Sequence, residues 1–444
     1  MTTLVRGVGL RGATAINVIT MVGIGPLITI PLVLAALHGP LSLVAWIAGA
    51  LIALCDGLVW AELGSLFPGS GGTYGFLRAT FGAQGVRALP AFLFAWQTIF
   101  AAPLLLASGY IGFADYAAYL VPGGLGPWPT KLLAVAIGVV TLLALARGIG
   151  AIARTGIVLG AGVVVTLLCV IVAAYAHPTV AQPFALGAGD SLWGGLRTGL
   201  GAALILTMYD YLGYGQAACI GDELVEPRRT LPRATVLAVL LVAVLYVALQ
   251  IGVLRALPWA AVVADPSGLG QHVGSTIVEH AAGVGAAIVV TVLILVTTFA
   301  SVYGNLLGFS RIPFAAARDG LFPRVFAHVQ RRHRFPDVSL VTIGVLALPA
   351  CLFPLDQVIA ALTTAIVLVQ AIAQIVALAV LRARGERAPY SMPLYPLPAL
   401  VALAGWLYAF ASAGGAAIGY GLVSIAAGVA VFWWRGNHTR PEWL

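Results

Sequence analysis

Glycine and proline interrupt an apolar run near the N-terminus that otherwise reads as a membrane-spanning helix. The stretch is VGIGPLITIP, residues 22–31, with Gly23, Gly25 and Pro26 at its centre. Glycine loosens the backbone, while Pro26 removes a donor and disfavours helical geometry in Gly25 before it. We therefore predict an unwound turn near the bilayer centre. The alternative is close helix packing through glycine, or a simple proline kink.

An unwound turn at this depth has a specific chemical use. Non-helical backbone inside a bilayer is tolerated only where protein covers it or where it lines a cavity. The ends of two half-helices then suit a zwitterion, because free N–H groups face a carboxylate and free carbonyl groups face an ammonium group. The stretch is thus a candidate for half of a binding site.

A second interruption, YDYLGYG at residues 209–215, lies five apolar runs later and has Gly213 near its centre. Broken helices at corresponding positions of two halves are typical of transporters built from inverted repeats. Tyr209 and Tyr214 flank the break, and we predict that their rings close the path over a substrate. The alternative for either tyrosine is packing or interfacial anchoring.

Acidic residues at membrane depth are the sharpest individual candidates, since such residues usually face the interior or a water-filled cavity. Asp210 is predicted to pair with a substrate ammonium group or to carry a coupling proton; the alternative is a hydrogen-bonded structural acid. Asp56, in the second apolar run, is a similar case. Three acids nearer the ends of their runs are predicted to pair with arginine: Glu62, Asp222 and Glu223.

The elements that carry these residues are those of an integral membrane protein. Of 444 residues, 61% are hydrophobic and 9% are charged, with a mean hydropathy of +1.02; soluble proteins carry about 25% charged residues. A spanning helix needs roughly 20 mainly apolar residues. Twelve such runs are predicted, at residues 14–36, 41–66, 88–119, 132–147, 154–176, 193–219, 234–257, 280–308, 338–354, 356–381, 396–413 and 415–434.

The positive charges predict the orientation of these runs. With a cytoplasmic N-terminus, all but three of the 23 Lys and Arg residues fall on the cytoplasmic side, the exceptions being Lys131, Arg197 and Arg255. We therefore predict that the protein spans the cell inner membrane several times and that both termini lie in the cytoplasm. The net charge of +8 is explained by this topology and not by nucleic acid binding.

An enzyme is not expected from this sequence. The longest polar connections are residues 220–233, 309–337 and 382–395, which leaves no soluble catalytic domain. No nucleophile–base pair or metal-binding spacing is evident, so we predict no metal and no cofactor beyond a coupling ion. The expected partners are a small-molecule substrate and the lipid bilayer, and the oligomeric state stays open.

Three segments resemble the amino acid–polyamine–organocation (APC) superfamily of permeases. Gly39–Gly82 is similar to the second span and following loop of that family, with GPLSLVAW and AELGSLFPGSGGTYGFLRATFG. Tyr211–Arg233 resembles its sixth-span turn and E-x-x-x-P-x-x-x-x-P loop, and Asn305–Pro323 its Ser-Arg…Arg-Asp-Gly…Pro loop. The Gly-Pro pair at residues 25–26 and the tail PYSMPLYPLPAL at Pro389–Leu400 are closer to the polyamine and L-amino-acid uptake branch.

The resemblance implies an all-α LeuT-type fold in one transmembrane domain, residues 1–434. A first five-helix repeat (14–176) is followed by a second, inverted one (193–381). Helices 11 and 12 (396–434) and a short cytoplasmic tail (435–444) complete the chain.

The resemblance also assigns roles to residues of the two breaks. The backbone of Gly23, Ile24 and Gly25 is implied to contact the carboxylate and amine of the substrate, and Tyr209 to be an aromatic gate. The register of the first break stays open, because Pro31 follows Gly23 by eight residues instead of the usual seven.

Ion coupling is left open by the sequence. The fifth span contains no lysine, whereas some proton-coupled members of the family place one there as a substitute for sodium. The candidates for a coupling proton are the acids at membrane depth, Asp56 and Asp210. A sodium site could instead use carbonyl groups of the first span and hydroxyl groups of the eighth: Thr297, Thr298 and Ser301. The alternative for these hydroxyl groups is bonding to their own helix backbone.

The functional hypothesis is a secondary active transporter that moves amino acids, neutral ones first, by alternating access. Gly215 stands where cation-handling members often have an acid, which argues against a diamine. A polyamine or cationic amino acid transporter is the alternative, since Asp210 one turn away could compensate. A non-transporting membrane receptor on the same fold is the alternative of another class, and a channel is disfavoured because its pore usually repeats around an axis.

Overall fold

The structure, a computed structural model, describes residues 7–68, 72–146, 152–186, 191–266, 268–330 and 335–437. Some predicted cytoplasmic positions lie outside the described residues: Arg6, Arg147, Arg331, Arg332, Arg334, Arg440 and most of the tail 435–444. The side chains of Asp222 and Glu223 are also outside this description, so their predicted arginine pairing stays a prediction.

Within the described residues the chain is helical, with one isolated bridge between Val8 and Leu224. Its α-helices are α1 (Leu10–Met21), α2 (Gly25–Leu37), α3 (Ser42–Leu66), α4 (Gly72–Phe81), α5 (Leu89–Ala118), α6 (Pro127–Ala146), α7 (Ile152–Ala176), α8 (Leu192–Asp210), α9 (Pro227–Ala256), α10 (Trp259–Ala264), α11 (Val273–Arg318), α12 (Asp337–Ala350), α13 (Leu355–Ile366), α14 (Ile372–Ala383), α15 (Leu397–Ser412) and α16 (Gly415–Asn437).

The helices confirm a multi-pass membrane protein. By length and composition, seven helices of the described chain can cross a membrane, or eight if the bent pair α1–α2 forms one span. Three shorter apolar helices add to these: Gly162–Ala176, Asp337–Ala350 and Leu397–Ser412. Large apolar side chains on the outer surface, such as Val172 and Val244, are about two-thirds exposed, as expected for contact with lipid. The count of twelve spans stays a prediction.

The predicted break in the first span is present. α1 ends at Met21, α2 begins at Gly25, and the two axes differ by 48°. Pro26 falls in the first turn of α2, where a missing N–H group removes no helical hydrogen bond. Gly23 therefore lies among the unwound residues, while Gly25 and Pro26 start the next half-helix.

The sixth predicted run is also broken. α8 ends at Asp210, the chain turns through residues 211–215, and a 3-10 helix follows at Gln216–Glu223. Elsewhere, α11 is interrupted at Gly283, which has a φ of 84°. The predicted division at Pro354 is confirmed, because α12 ends at Ala350 and α13 begins at Leu355.

Packing brings the two broken spans to the centre of the bundle. α2 packs along α8, and α3 packs along α9. α5 lies against α11, and α6 lies against α12. The two breaks are thus surrounded by α3, α5, α9 and α11, and these helices supply the side chains that contact them.

Candidate functional site

The turn after α8 lies directly on the end of α1. A Cβ atom at Gly213 would come within 3.0 Å of the backbone nitrogen of Met21 and of the carbonyl carbon of Thr20. Gly213 also has a φ of 116°, a conformation that glycine adopts readily and other residues do not. Both the available space and the backbone conformation therefore require glycine where the two breaks meet.

Asp210, the last residue of α8, occupies the space beside Gly25, the first residue of α2. A Cβ atom at Gly25 would collide with Oδ1 of Asp210 and would lie 3.4 Å from Cε1 of Tyr209. The Thr29 hydroxyl group, one turn further along α2, donates to Oδ2 of Asp210 at 2.5 Å. Oδ1 has no hydrogen-bond partner among the described residues, although Asp210 is only 2% exposed. The structure thus places this carboxyl group at the N-terminal end of α2.

Tyr209 reaches from α8 to α5 across the first break. Its hydroxyl oxygen is 2.8 Å from Oγ of the buried Ser108, and its ring edge faces Gly25. Ile24, in the unwound residues, also points to α5, because its Cδ1 would lie 3.2 Å from a Cβ atom at Gly112. The gate role of Tyr209 stays a prediction; the structure shows that its ring lies between Ser108 on α5 and Gly25 on α2.

Tyr214 contacts α3 and α9, whereas Tyr209 contacts α5. Its hydroxyl group donates to Oδ2 of Asp56 on α3, and its carbonyl group accepts a bond from the Thr235 hydroxyl on α9 at 3.3 Å. Oδ1 of Asp56 has no partner in the described part of the chain, and Asp56 is buried. The second candidate acid therefore contacts the second break through Tyr214 and lies on α3.

The three hydroxyl candidates of α11 divide into two kinds. The Thr297 hydroxyl donates to the carbonyl groups of Leu293 and Ile294, and the Thr298 hydroxyl donates to Ile294 at 2.6 Å, so both bond their own helix. Ser301 differs, because its Oγ would lie 3.5 Å from a Cβ atom at Gly23. Ser301 is therefore the residue of this set that the structure places beside the first break.

Sequence reasoning missed several polar contacts of the breaks. Oδ1 of Asn17 on α1 accepts the backbone N–H of Ala217 at 2.8 Å, which joins α1 to the 3-10 helix after the second break. The hydroxyl group of Tyr246 on α9 lies against both breaks. Asn17 could have been noticed in the sequence, because it is a polar amide within an apolar run. Tyr246 could not, because a tyrosine is an ordinary residue in a membrane-spanning helix. Their partners lie on other helices, so spacing along the chain does not reveal them.

The two acids at the breaks have no cationic partner in the described part of the chain. Within the described residues, no arginine, lysine or histidine forms an ion pair with Asp56 or Asp210. Glu62, at the far end of α3, is instead bound by Arg382 through Nε at 2.8 Å and Nη2 at 2.6 Å. The predicted arginine pairing of Glu62 is confirmed. No group of three or more potential metal ligands is found in the described ranges.

Comparison with known proteins gives a consistent result along almost the whole chain. Residues 8–436 match the profile of the amino acid permease family. The chain is 26% identical over 427 residues to the serine/threonine exchanger SteT of Bacillus subtilis (strain 168), which covers 92% of this chain and 91% of that protein.

Two further relatives are also named as amino acid transport proteins. The branched-chain amino acid permease BcaP of the same bacterium is 28% identical over 368 residues, 76% of this chain and 74% of its own length. The b(0,+)-type amino acid transporter 1 of Mus musculus is 27% identical over 359 residues, 78% of this chain and 70% of its own length. With its two broken helices and a family profile that covers residues 8–436, this chain belongs to the amino acid permease family of the APC superfamily.

Proposed function

We propose that this protein is a secondary active transporter that moves amino acids, neutral ones first, across the cytoplasmic membrane by alternating access. The observation that carries the proposal is the meeting of the two breaks. Gly25 at the start of α2 contacts Asp210 and Tyr209 at the end of α8, while Gly213 contacts Met21 at the end of α1. Half-helix ends of both signs therefore converge on one point inside the bundle.

Convergent helix ends explain how the backbone would bind an amino acid. Ile24 and Gly25, at the N-terminal end of α2, offer N–H groups and a positive dipole to the α-carboxylate. The N–H of Gly23 already donates to the Met21 carbonyl at 3.0 Å, so Gly23 would contribute its carbonyl group instead. The carbonyl groups at the ends of α1 and α8 offer a negative dipole to the α-ammonium group. Tyr209 closes over the substrate from α8, and its ring edge already faces Gly25.

The proposed architecture is twelve spans arranged as two inverted five-helix repeats plus two helices, with both termini in the cytoplasm. Helix packing supports it. The pairs α2–α8, α3–α9, α5–α11 and α6–α12 join predicted spans one and six, two and seven, three and eight, and four and nine. A pseudo-twofold axis between two repeats would pair these four spans with their counterparts in this way.

Two observations support a neutral substrate, the names of two relatives and the lack of space for a side chain at Gly215. The serine/threonine exchanger and the branched-chain permease are named for neutral amino acids. At Gly215, where cation-handling members often have an acid, a Cβ atom would come within 2.5 Å of the Trp60 ring. The alternative, a cationic amino acid or polyamine, is favoured by one observation, the partly unpartnered carboxyl group of Asp210.

Two routes for ion coupling remain as proposals beside exchange without an ion. Asp210 and Asp56 are buried carboxyl groups whose bonding partners are hydroxyl groups, so either can take up a proton without breaking an ion pair. A sodium ion would instead use carbonyl groups of the first break with Ser301, which faces Gly23.

Proteoliposome transport tests the proposal directly. Purified protein is reconstituted and given labelled serine, leucine, arginine, glutamate and putrescine under a proton gradient, a sodium gradient, or internal unlabelled substrate. We expect saturable uptake of a neutral amino acid that one of these conditions drives. Uptake of arginine or putrescine alone would favour the alternative substrate class. Absence of uptake and of any ligand-induced thermal stabilisation would contradict transport and favour a receptor for another ligand.

A further inference from the structure

The first part of α11 is a separate short helix at the outer end of the bundle, in the orientation proposed above. Gly283 has a φ of 84° and a ψ of 170°, so a kink divides residues 273–282 from the spanning part that follows. Residues 273–278 are buried, although they belong to the connection between α9 and that spanning part. We call residues 271–282 the outer segment, and its burial means that specific contacts hold it against the bundle.

Side-chain hydrogen bonds hold both ends of the outer segment on the end of α5. Nε2 of Gln271 donates to Oδ1 of Asp115 at 2.8 Å. Further along the segment, Oε2 of Glu279 accepts a bond from the Tyr119 hydroxyl group at 2.6 Å. Both bonds end on α5, so they fix the outer segment without reaching either break.

The middle of the outer segment is bonded to the first broken span through Tyr116 of α5. The backbone N–H of Gly274 donates to the Tyr116 hydroxyl oxygen at 3.1 Å, and that hydroxyl group donates to the Leu27 carbonyl at 3.3 Å. Tyr116 is completely buried. A Cβ atom at Gly274 would lie 3.2 Å from the Tyr116 oxygen and 3.3 Å from Cδ2 of Leu27. Because Leu27 lies in the first turn of α2, shortly after Gly25, this chain of bonds ends next to the proposed site.

Pro31 explains why the Leu27 carbonyl needs a donor from another helix. Within α2 this carbonyl would accept the N–H of residue 31, but proline has no N–H. A carbonyl group without a donor is unfavourable in the interior of a membrane protein. Among the described side chains, only Tyr116 donates to Leu27. The proline that follows the first break therefore makes α2 dependent on this tyrosine.

We propose that Tyr116 is a positioning residue that couples closure of the outer segment to the first break. This inference rests on the proposed function. A hydroxyl group that accepts a hydrogen bond donates more strongly, so the Gly274 N–H strengthens the bond to Leu27 while the outer segment is in place. Lifting the segment removes that N–H and weakens the one donor on which the Leu27 carbonyl depends. Closure of the outer side therefore favours one position of the first turn of α2, where Gly25 faces the substrate.

Cysteine labelling of purified protein measures how readily the outer segment lifts. Val278 is 4% exposed, so the thiol of Val278→Cys reacts with a water-soluble maleimide only after opening; protein without this substitution gives the background of the native cysteines. Tyr116→Phe should raise the labelling rate about tenfold, as for the loss of one net hydrogen bond. Tyr303→Phe is the matched control, because its buried hydroxyl group has no described partner, and labelling should stay within about twofold.

Pro31→Ala distinguishes coupling through Leu27 from a merely structural role of Tyr116. The new N–H lets the Leu27 carbonyl bond within α2, so opening no longer weakens its donor and labelling should again rise about tenfold. Because both substitutions remove the same dependence, the double variant should label no faster than either single variant, instead of about a hundredfold faster than the wild type. Tyr119→Phe loses the bond to Glu279 instead, so its effect should multiply with that of Pro31→Ala.

Two results would overturn the inference: labelling of Tyr116→Phe at the wild-type rate, or an effect of Tyr116→Phe that multiplies with that of Pro31→Ala. If Tyr116→Phe does not fold, Pro31→Ala decides alone, since an unchanged labelling rate there would show that opening does not involve the Leu27 carbonyl. Labelling requires no transport, so this outcome is distinct from failure of the proposed function, in which the wild type moves no amino acid.

Discussion

Buried carboxyl groups occur in two different settings in this molecule, at the end of α3 and at the breaks. Glu62 and Asp210 are each 2% exposed. Glu62 accepts two bonds from the Arg382 guanidinium group and one from the backbone N–H of Met392 at 2.7 Å. Asp210 accepts one bond from the Thr29 hydroxyl group and has one oxygen without a described partner.

The difference separates a buried acid that is paired with arginine from a buried acid that has no ionic partner among the described residues. Arginine gives Glu62 a permanent counter-charge and donors for both oxygens, and such a pair joins α3 to α14. A hydroxyl group leaves the charge of Asp210 uncompensated, and a buried charge without a partner is unfavourable by several kcal/mol. We infer that Asp210 is neutralised by something mobile, either a proton or the ammonium group of a substrate.

The largest expected effect comes from breaking the Glu62 pair. Arg382→Gln leaves Glu62 buried without its cation, and we expect the free energy of unfolding to fall by about 3 kcal/mol. Thermal unfolding of the purified protein in detergent checks this. An unfolding temperature equal to that of the wild type would show that the pair is not structural.

Gly213→Ala is expected to have the next largest effect, at the breaks themselves. The new Cβ atom would lie 3.0 Å from the Met21 nitrogen, in a backbone conformation with a φ of 116°. We expect destabilisation of about 2 kcal/mol together with loss of transport. Gly304→Ala on α11 is the control, because nothing lies within 4 Å of its Cβ position. Equal effects of the two substitutions would contradict the close contact between the breaks.

Asp210→Asn should act on transport and not on stability, in contrast to Arg382→Gln. It removes a buried carboxyl group that has no ionic partner among the described residues, so the unfolding temperature should stay the same or rise. Transport should fall by about tenfold, the effect of losing a bond to a charged group. Uptake between about pH 5 and 8 should lose its pH dependence, because the amide cannot take up a proton. A pH profile and substrate range like those of the wild type would make Asp210 a structural acid.

The smallest effect is expected at an exposed ion pair. Arg78 and Asp319 are 2.6 Å apart, and their side chains are 40% and 29% exposed, so water already screens their charges. Arg78→Gln should lower the free energy of unfolding by less than about 1 kcal/mol. A loss as large as that of Arg382→Gln, measured by the same unfolding experiment, would show that burial does not explain the difference between the two arginines.

The first break could be predicted from the sequence because its causes are local. Gly23 lies among the unwound residues 22–24, and Gly25 and Pro26 start the next half-helix, so the predicted interruption is present. The arginine pairing of Glu62 followed from its place near the end of a span. Both predictions needed only the residue type and its depth in the membrane.

The partners of the breaks could not be predicted in this way. Thr29 and Asp210 lie on α2 and α8, and Tyr246 lies on α9, so their contacts depend on how the helices rotate about their axes. Apolar runs in a membrane specify that a helix spans but leave that rotation to packing. For the same reason the sequence could not distinguish between Thr297, Thr298 and Ser301 as candidates. In the structure, of these three only Ser301 lies beside Gly23.

Ligand binding to Gly25→Leu tests whether an amino acid binds where the two breaks meet. The leucine side chain would have to occupy the space of Asp210 and Tyr209, whereas Gly304→Leu adds the same side chain to open space. Binding of the preferred labelled amino acid to the purified proteins is measured without transport. We expect wild-type affinity in Gly304→Leu and no measurable binding in folded Gly25→Leu. Wild-type affinity in Gly25→Leu would show that the amino acid binds elsewhere.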